Sequence, residues 1–299
     1  MKKLFTLLCV CLLFSFQAVY AEGQSQGGGS APKPSFDPRT QGFVGNASSN
    51  MDSLFDDSDF TPEDEYYLGR AVAANIMNTY KPYIQNQGLT RYLNSICQTL
   101  VINSAQPVNY GGYCVIILDT QEFNAFASPG GHIFLTRGLV ESAGSEDMLA
   151  AVIAHELAHV MKKHGIAIIN SFEAQMIGQA ADASRQGQAL SRNNAANRLM
   201  LYRNSVTGLL DALTLSGYSQ AQEFEADREA VALLVAAGYN PGALVEMLRV
   251  LQRVQNSQKG GFNTTHPTPA ARLTQVEGTV AFTRVEDTSS YRTSRFKNK

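Results

Sequence analysis

Tryptophan is absent from the 299 residues, histidine occurs only five times and cysteine four times. Neither sign of charge dominates: 24 Lys and Arg face 26 Asp and Glu, a formal net charge of −2. That balance supplies no basic field to draw in a polyanion, so no nucleic acid is expected as a partner. No apolar run after the first twenty or so residues reaches the roughly 18 that a spanning helix needs. The hydrophobic share is an ordinary 44%, which allows a sizeable core and argues against wholesale disorder. With histidine this scarce, any cluster of it carries information.

Residues 1–21 read as an export signal. Lys2 and Lys3 give the positive start, Leu4 to Phe16 the apolar stretch, and Val19-Tyr20-Ala21 the cleavage site. An uncleaved anchor would need a longer apolar core. A lipoprotein would need a small residue ahead of the cysteine, where Leu8 precedes Cys9 and Val10 precedes Cys11. The expected location is therefore the periplasm. Export leaves Cys97 and Cys114 as one pair in an oxidising compartment, where a disulfide and two thiols are equally consistent with the spacing.

Residues 22–60 are rich in Gly, Ser, Asn, Pro and Asp and read as a flexible leader. Order begins at Thr61-Pro62-Glu63-Asp64, an N-cap followed by Pro and acids suited to the helix dipole. The pattern predicts helices over 62–80 and 89–103. It then predicts strands over 113–118, 123–127 and 132–136, the last two joined by the Ser128-Pro129-Gly130-Gly131 turn. A helix from about 145 to 169 follows, apolar on several faces and so expected at the centre of the domain. Residues 181–200 read as a weakly packed connection, and further helices fit 203–215, 220–237, 241–257 and 269–277. The expectation is one mainly helical α+β domain over 61–280, with a small antiparallel sheet beside the 145–169 helix and a polar tail over 281–299.

His155-Glu156-Leu157-Ala158-His159 lies on that helix. Chance produces this H-E-x-x-H pattern in only about four in a thousand sequences of such composition. Histidines one turn apart share a helix face and can grip a single Zn²⁺. Glu156 is offset so that its carboxylate can take a proton from water activated by the metal. A catalytic zinc needs a third protein ligand. A second downstream histidine of the H-E-x-x-H-x-x-G-x-x-H kind is excluded, because Lys162 and Gly165 hold the required places. On a straight helix His164 points about 180° from His155 and about 140° from His159, and so faces away. The acidic cluster Glu223-Phe224-Glu225-Ala226-Asp227 remains, with Glu223 and Asp227 on one helix face and Glu225 on another. Composition alone leaves Glu223 open, as a ligand or as a solvated charge.

His-Glu-Leu-Ala-His-Val at 155–160, Glu223-x-x-Ala226-Asp227 and Asn124-Ala125-Phe126-Ala127-Ser128-Pro129-Gly130-Gly131, in that arrangement, resemble the M48 metallopeptidases over roughly residues 60–278. The resemblance implies a zincin-like domain with one Zn²⁺ per chain, Glu223 as third ligand and Asp227 orienting a ligand histidine through its other ring nitrogen. It also implies that Asn124, Ala125, Phe126 and Ala127, or alternatively 132–136, offer a strand edge to an extended peptide substrate. His266-Pro267-Thr268-Pro269-Ala270-Ala271-Arg272 is similar to a further family segment. There His266 either donates to the oxyanion or folds onto the zinc and shuts the site, and Arg272 pairs with an acid. His132 reads as structural, and Tyr202 and Tyr218 as unplaced candidate donors. Lacking the membrane spans and tetratricopeptide arrays of better-known members, the sequence resembles short exported ones, and prenylated substrates are not expected. The implied activity is endopeptidase cleavage of unfolded or misassembled exported proteins, near the outer-membrane assembly machinery. The rival reading is a chaperone-like module that captures client strands around a latent or structural zinc.

Overall fold

The capping chemistry read at Thr61 is present in the computed structural model, which describes residues 60–172, 204, 206–213, 217–257, 266, 269–283 and 289–297. The export signal, nearly all of the leader, the 181–200 connection and Tyr202 lie outside these residues. Helix α1 (Pro62–Thr79) opens with a capping box in which the Asp64 amide donates to Thr61 Oγ1 and Asp64 Oδ2 accepts from the Thr61 amide, with Pro in the first turn. After α2 (Gln87–Ile102) come β1 (Cys114–Leu118), β2 (Ala125–Ser128) and β3 (His132–Thr136), then the short α3 (Arg137–Ser142) and α4 (Glu146–Met161). Helices α5 (Gln220–Ala236), α6 (Gly242–Ser257), α7 (Pro269–Val280) and α8 (Ser289–Lys297) complete the order. Among the described residues no helix is long and apolar enough to cross a membrane.

The sheet is mixed rather than antiparallel, with strand order β1-β3-β2. β1 runs parallel to β3, and β2 runs antiparallel to it. Short apolar runs read alike in either ladder, so strand direction was not legible. Gly130 (φ 77°) and Gly131 (φ 96°) make the return turn in backbone regions open to glycine. Helix α1 lies so close to this turn that a Cβ at Gly69 would collide with the Pro129 carbonyl oxygen.

Alternation along the strands divides the core. Ala125, Ala127, Ile133 and Leu135 face α2, α4, α5 and α6, while Phe126 and Phe134 join Leu68, Val72 and Ile76 of α1 on the opposite side. The small side chains on β2 let α4 approach it closely. Helix α4 is buried on nearly every face, as its all-round apolarity predicts. It is shorter than expected, however. Lys162 caps it, Lys163 adopts a left-handed conformation (φ 55°), and the chain is helical again over 164–172. Lys162 pairs with Glu229 and Lys163 with Glu65, so this break is tied at both residues.

Cys97 and Cys114 are thiols, with no disulfide between them. Burial pushes the Cys97 thiol up, which keeps it protonated and inert.

The stretch read as a polar tail includes α8, which packs on α4. Arg292 Nε donates to Asp147 Oδ2 at 2.9 Å and its Nη1 donates to the Gly238 carbonyl at 3.1 Å. Arg295 Nε donates to Glu146 Oε2 at 3.0 Å, a carboxylate that also accepts from Tyr92 and Tyr239. The acids at the start of α4 thus serve its dipole and anchor α8 together. Because Asp147 is nearly buried, Arg292→Ala is expected to lower unfolding free energy by about 3 kcal/mol, read from urea melts. A loss under about 1 kcal/mol would show that the amide of Asn240, which also reaches Asp147, satisfies the carboxylate alone.

Candidate active site

Helix α4 carries His155 and His159 on one face, and α5, started by the Ser219–Gln222 capping box, brings Glu223 in its first turn against them. One donor atom each from His155, His159, Glu223 and His266 lie within 4.8 Å of one another, and all four residues are buried. His155 Nε2 is 3.1 Å from His159 Nε2, 3.5 Å from Glu223 Oε2 and 3.3 Å from His266 Nδ1. His159 Nε2 is 3.4 Å from Glu223 Oε1, which lies 2.9 Å from His266 Nδ1. Tetrahedral bonds of the usual zinc length place donors about 3.3 Å apart, so this spacing suits a single ion. Imidazole nitrogens with a carboxylate oxygen are also a donor set that zinc accepts. The buried group is compatible with one zinc ion.

Glu156 is fully buried, and among the described residues neither of its carboxylate oxygens has a hydrogen-bond partner. His266 Nε2 lies 3.5 Å from Glu156 Oε1. Burial pushes the carboxyl up, opposed by His266 and His155. Orphaned oxygens beside a metal-binding cluster suit a base that acts on water and not on the metal.

The outer ring is ionic. Arg272 Nε donates to Asp227 Oδ2 at 2.8 Å and its Nη2 to Asp227 Oδ1 at 2.7 Å, while Nη1 lies 2.8 Å from Glu223 Oε2. Asp227 Oδ1 in turn sits 3.1 Å from His155 Nδ1. Against burial, Arg272 and His155 hold the Asp227 carboxyl down at about 2. Against burial, His266 and Arg272 hold Glu223 well below the usual carboxylate range. Burial and the Arg272 charge pull His155 down, but bonds to Asp227 and Glu223 prevail and push its ring up to about 9. Burial keeps His159 well below its ordinary value.

Each site residue read from the sequence has a definite place. His155, Glu156, His159, Glu223, Asp227, His266 and Arg272 are brought together. Asn124 to Ala127 lie alongside: Asn124 locks the start of β2, its carbonyl accepting from the Thr136 amide and its side chain from the Ala125 amide. Among the described residues β2 is an edge strand, whereas 132–136 is central and has no free edge, which removes that alternative. Pairing of Asn124, Phe126 and Ser128 with β3 turns the backbone groups of Ala125 and Ala127 to the outer side. A cavity lined by Ala127, Ser128, Pro129, His159, Val160 and Tyr218 lies between that strand and the cluster. His132 stacks on Tyr66, away from the donors.

Two residues depart from expectation. His164 does not face away: the break at Lys163 turns it back, and its Nδ1 lies 2.9 Å from His159 Nδ1. Glu225, expected off the site face, meets His164 Nε2 at 3.3 Å. The polar run Lys162-Lys163-His164 before Gly165, which interrupts an apolar helix, is the signal that marks such an end. Tyr218 is now placed, its ring stacked on His159 with centroids 4.0 Å apart. Burial, Glu156 and Glu223 push its phenol well above the ordinary value.

An H-E-x-x-H helix beside a mixed sheet, with a glutamate from a following helix, defines a zincin-like metallopeptidase fold. The sequence profile of peptidase family M48 matches residues 88–280, and the chain belongs to that family. It is 30% identical over 206 residues to the beta-barrel assembly-enhancing protease of Escherichia coli (strain K12), covering 64% of this chain and 39% of that protein. With the metalloprotease LoiP of the same organism it shares 28% over 195 residues, 64% of this chain and 70% of the relative. With the mitochondrial metalloendopeptidase OMA1 of Saccharomyces cerevisiae it shares 28% over 159 residues, 50% and 41% respectively. The chain thus spans about two fifths of the length of the beta-barrel assembly-enhancing protease.

Removing the guanidinium would leave two buried carboxylates without their counter-charge. Arg272→Ala does this and is expected to cost about 3–5 kcal/mol of unfolding free energy in the metal-free protein. Equal denaturation midpoints for the two proteins would contradict that role.

Proposed function

We propose that the chain is a zinc endopeptidase of the periplasm that cuts unfolded or misassembled exported proteins. The observation that carries this reading is the buried cluster of donors at zinc spacing, with the Glu156 carboxylate beside it making no hydrogen bond among the described residues. His155, His159 and Glu223 are the proposed ligands. A zinc ion bound there supplies Lewis acidity for attack on an amide carbonyl. Glu156 accepts a proton from the attacking water and passes it to the leaving amine. Asp227 keeps the Nδ1 face of His155 occupied, so that Nε2 is left for the metal, and Arg272 holds Asp227 and Glu223 in register. The outward backbone groups of Ala127 and the outward carbonyl of Ala125, whose amide is taken by the Asn124 side chain, offer an edge for an extended peptide beside the cavity at His159. Export rests on the signal read at residues 1–21. Substrates and a link to outer-membrane assembly rest on the similarity to the beta-barrel assembly-enhancing protease.

One feature favours a latent form of the same site. His266 Nδ1 stands among the donors, and Glu156 is closed from solvent. With His266 there, four protein groups surround the metal position, the arrangement of a structural site, whereas a catalytic one keeps a position open. His266 therefore holds the site shut and must swing out for a substrate carbonyl to enter. The client-binding alternative shares this closed geometry and differs only in never opening.

Glu156→Gln is expected to retain one zinc per chain while cleavage of a loosely folded protein such as casein falls by at least about 10²-fold. Casein cleaved equally fast by this variant would refute the assigned base. His266→Ala is expected to raise casein turnover several-fold with zinc retained. A fall would assign His266 to oxyanion stabilisation instead. Absence of cleavage by both the wild type and His266→Ala would favour the client-binding module.

A further inference from the structure

Both histidines on α4 have their second ring nitrogen occupied, by different means. His155 Nδ1 meets a carboxylate directly, Asp227 Oδ1 at 3.1 Å. His159 Nδ1 meets another imidazole, His164 Nδ1 at 2.9 Å, and the far nitrogen of that ring meets Glu225 Oε2 at 3.3 Å. We propose that His164 and Glu225 form a positioning pair that fixes the ring and the tautomer of His159 so that its Nε2 lone pair is presented to the metal.

The argument is a proton count along three groups. One proton lies between the two Nδ1 atoms, because two N–H groups or two bare lone pairs 2.9 Å apart would repel. If His159 carries that proton, its Nε2 is a bare lone pair directed into the donor cluster. His164 then carries its own proton on Nε2 and donates it to Glu225. If instead His164 Nδ1 carries the proton, the Nε2 lone pair of His164 faces the carboxylate of Glu225, and His159 Nε2 becomes an N–H aimed into the cluster. Glu225 removes the second assignment. A carboxylate relayed through an imidazole thus does for His159 what Asp227 does directly for His155.

The local structure holds the pair in place. His164 is 3% exposed and packs edge-on against His159, with centroids 4.9 Å apart, while Tyr218 stacks on the other ring. The left-handed residue Lys163 is what turns His164 inward, and its side chain is anchored on Glu65 of α1. Glu225 approaches from α5, two residues beyond Glu223, so the helix that provides the proposed third ligand also orients the second. The side chain of Glu225 remains 46% exposed, a carboxylate at the surface whose inner oxygen is committed.

The inference rests on His159 being a zinc ligand, and the test separates the two. Zinc affinity of the full chain is measured by competition with a chromogenic chelator, and the electronic spectrum of the cobalt-substituted protein reports ligand geometry. His164→Phe fills the space without an acceptor, and is expected to lose about 10–100-fold in zinc affinity and to shift the cobalt bands. His164→Asn restores an acceptor and should recover most of the loss. Glu225→Ala should weaken zinc binding, whereas Glu225→Gln, whose carbonyl still accepts from Nε2, should stay near wild type. Wild-type affinity and cobalt bands in His164→Phe overturn the proposal, as does a loss that His164→Asn leaves unrepaired, which would assign His164 to packing. Should His164→Phe not fold, the half-exposed Glu225→Ala decides, and unchanged affinity there overturns the pair. His159→Ala is the control: if it binds zinc as tightly as wild type, the metal assignment itself has failed, whatever the His164 variants do.

Discussion

The fork of Arg272 between Asp227 and Glu223 is the contact on which the rest of the site depends. Four ionisable groups from α4, α5 and the 266 position converge in a volume closed to water, and each would be costly there alone. A planar guanidinium answers two carboxylates at once, two nitrogens to Asp227 and the third to Glu223. Asp227 is then free to hold His155, and Glu223 to face the histidines. Helix α7 is therefore more than a cover: through Arg272 it sets the charge balance that lets α5 approach α4 with two acids leading.

The packing that surrounds the site follows from small side chains at close crossings. Ala125 and Ala127 give α4 its approach to β2, and Gly69 lets α1 touch the Pro129 turn. Between those two contacts β2 is fixed from both faces while its outer backbone edge stays unpaired by any strand among the described residues. A peptide added there would meet a rigid template, which favours recognition of backbone over sequence.

Much of this was legible in the residues. The helices at 62, 87, 220, 242 and 269 announce themselves through caps, prolines and apolar spacing, and their starts lie within a few residues of expectation. The histidine pair was found because histidine is rare here and its spacing has a chemical use, whereas Glu223 and His266 came from the resemblance to the M48 metallopeptidases, the acidic cluster alone having left Glu223 open. Three things were hidden. Strand direction was one, since Val115 and Ile117 read the same beside a parallel or an antiparallel neighbour. The second was the end of α4, where one lysine in a left-handed conformation undoes a rotation count that holds only for a straight helix. His164 was misplaced for that reason alone, and its return is what gives the half-exposed Glu225 a partner. The third was α8, whose nine residues are mostly polar and which is held by Arg292, Arg295 and a single partly buried Phe296 rather than by an apolar stripe.

The clamp between α8 and α4 joins residues 145 and 149 positions apart in the chain. A chain delivered from its amino end presents Glu146 and Asp147 long before Arg292 and Arg295 exist beside them. Without those arginines the helix bearing both histidines starts with two acids that keep only the Tyr92 and Tyr239 hydroxyls and the Asn240 amide, and their charge is left without a counter-ion. Placement of the histidine helix is thus coupled to a segment far along the chain, and the metal-binding face of α4 shares its fate with contacts at the opposite end of the same helix.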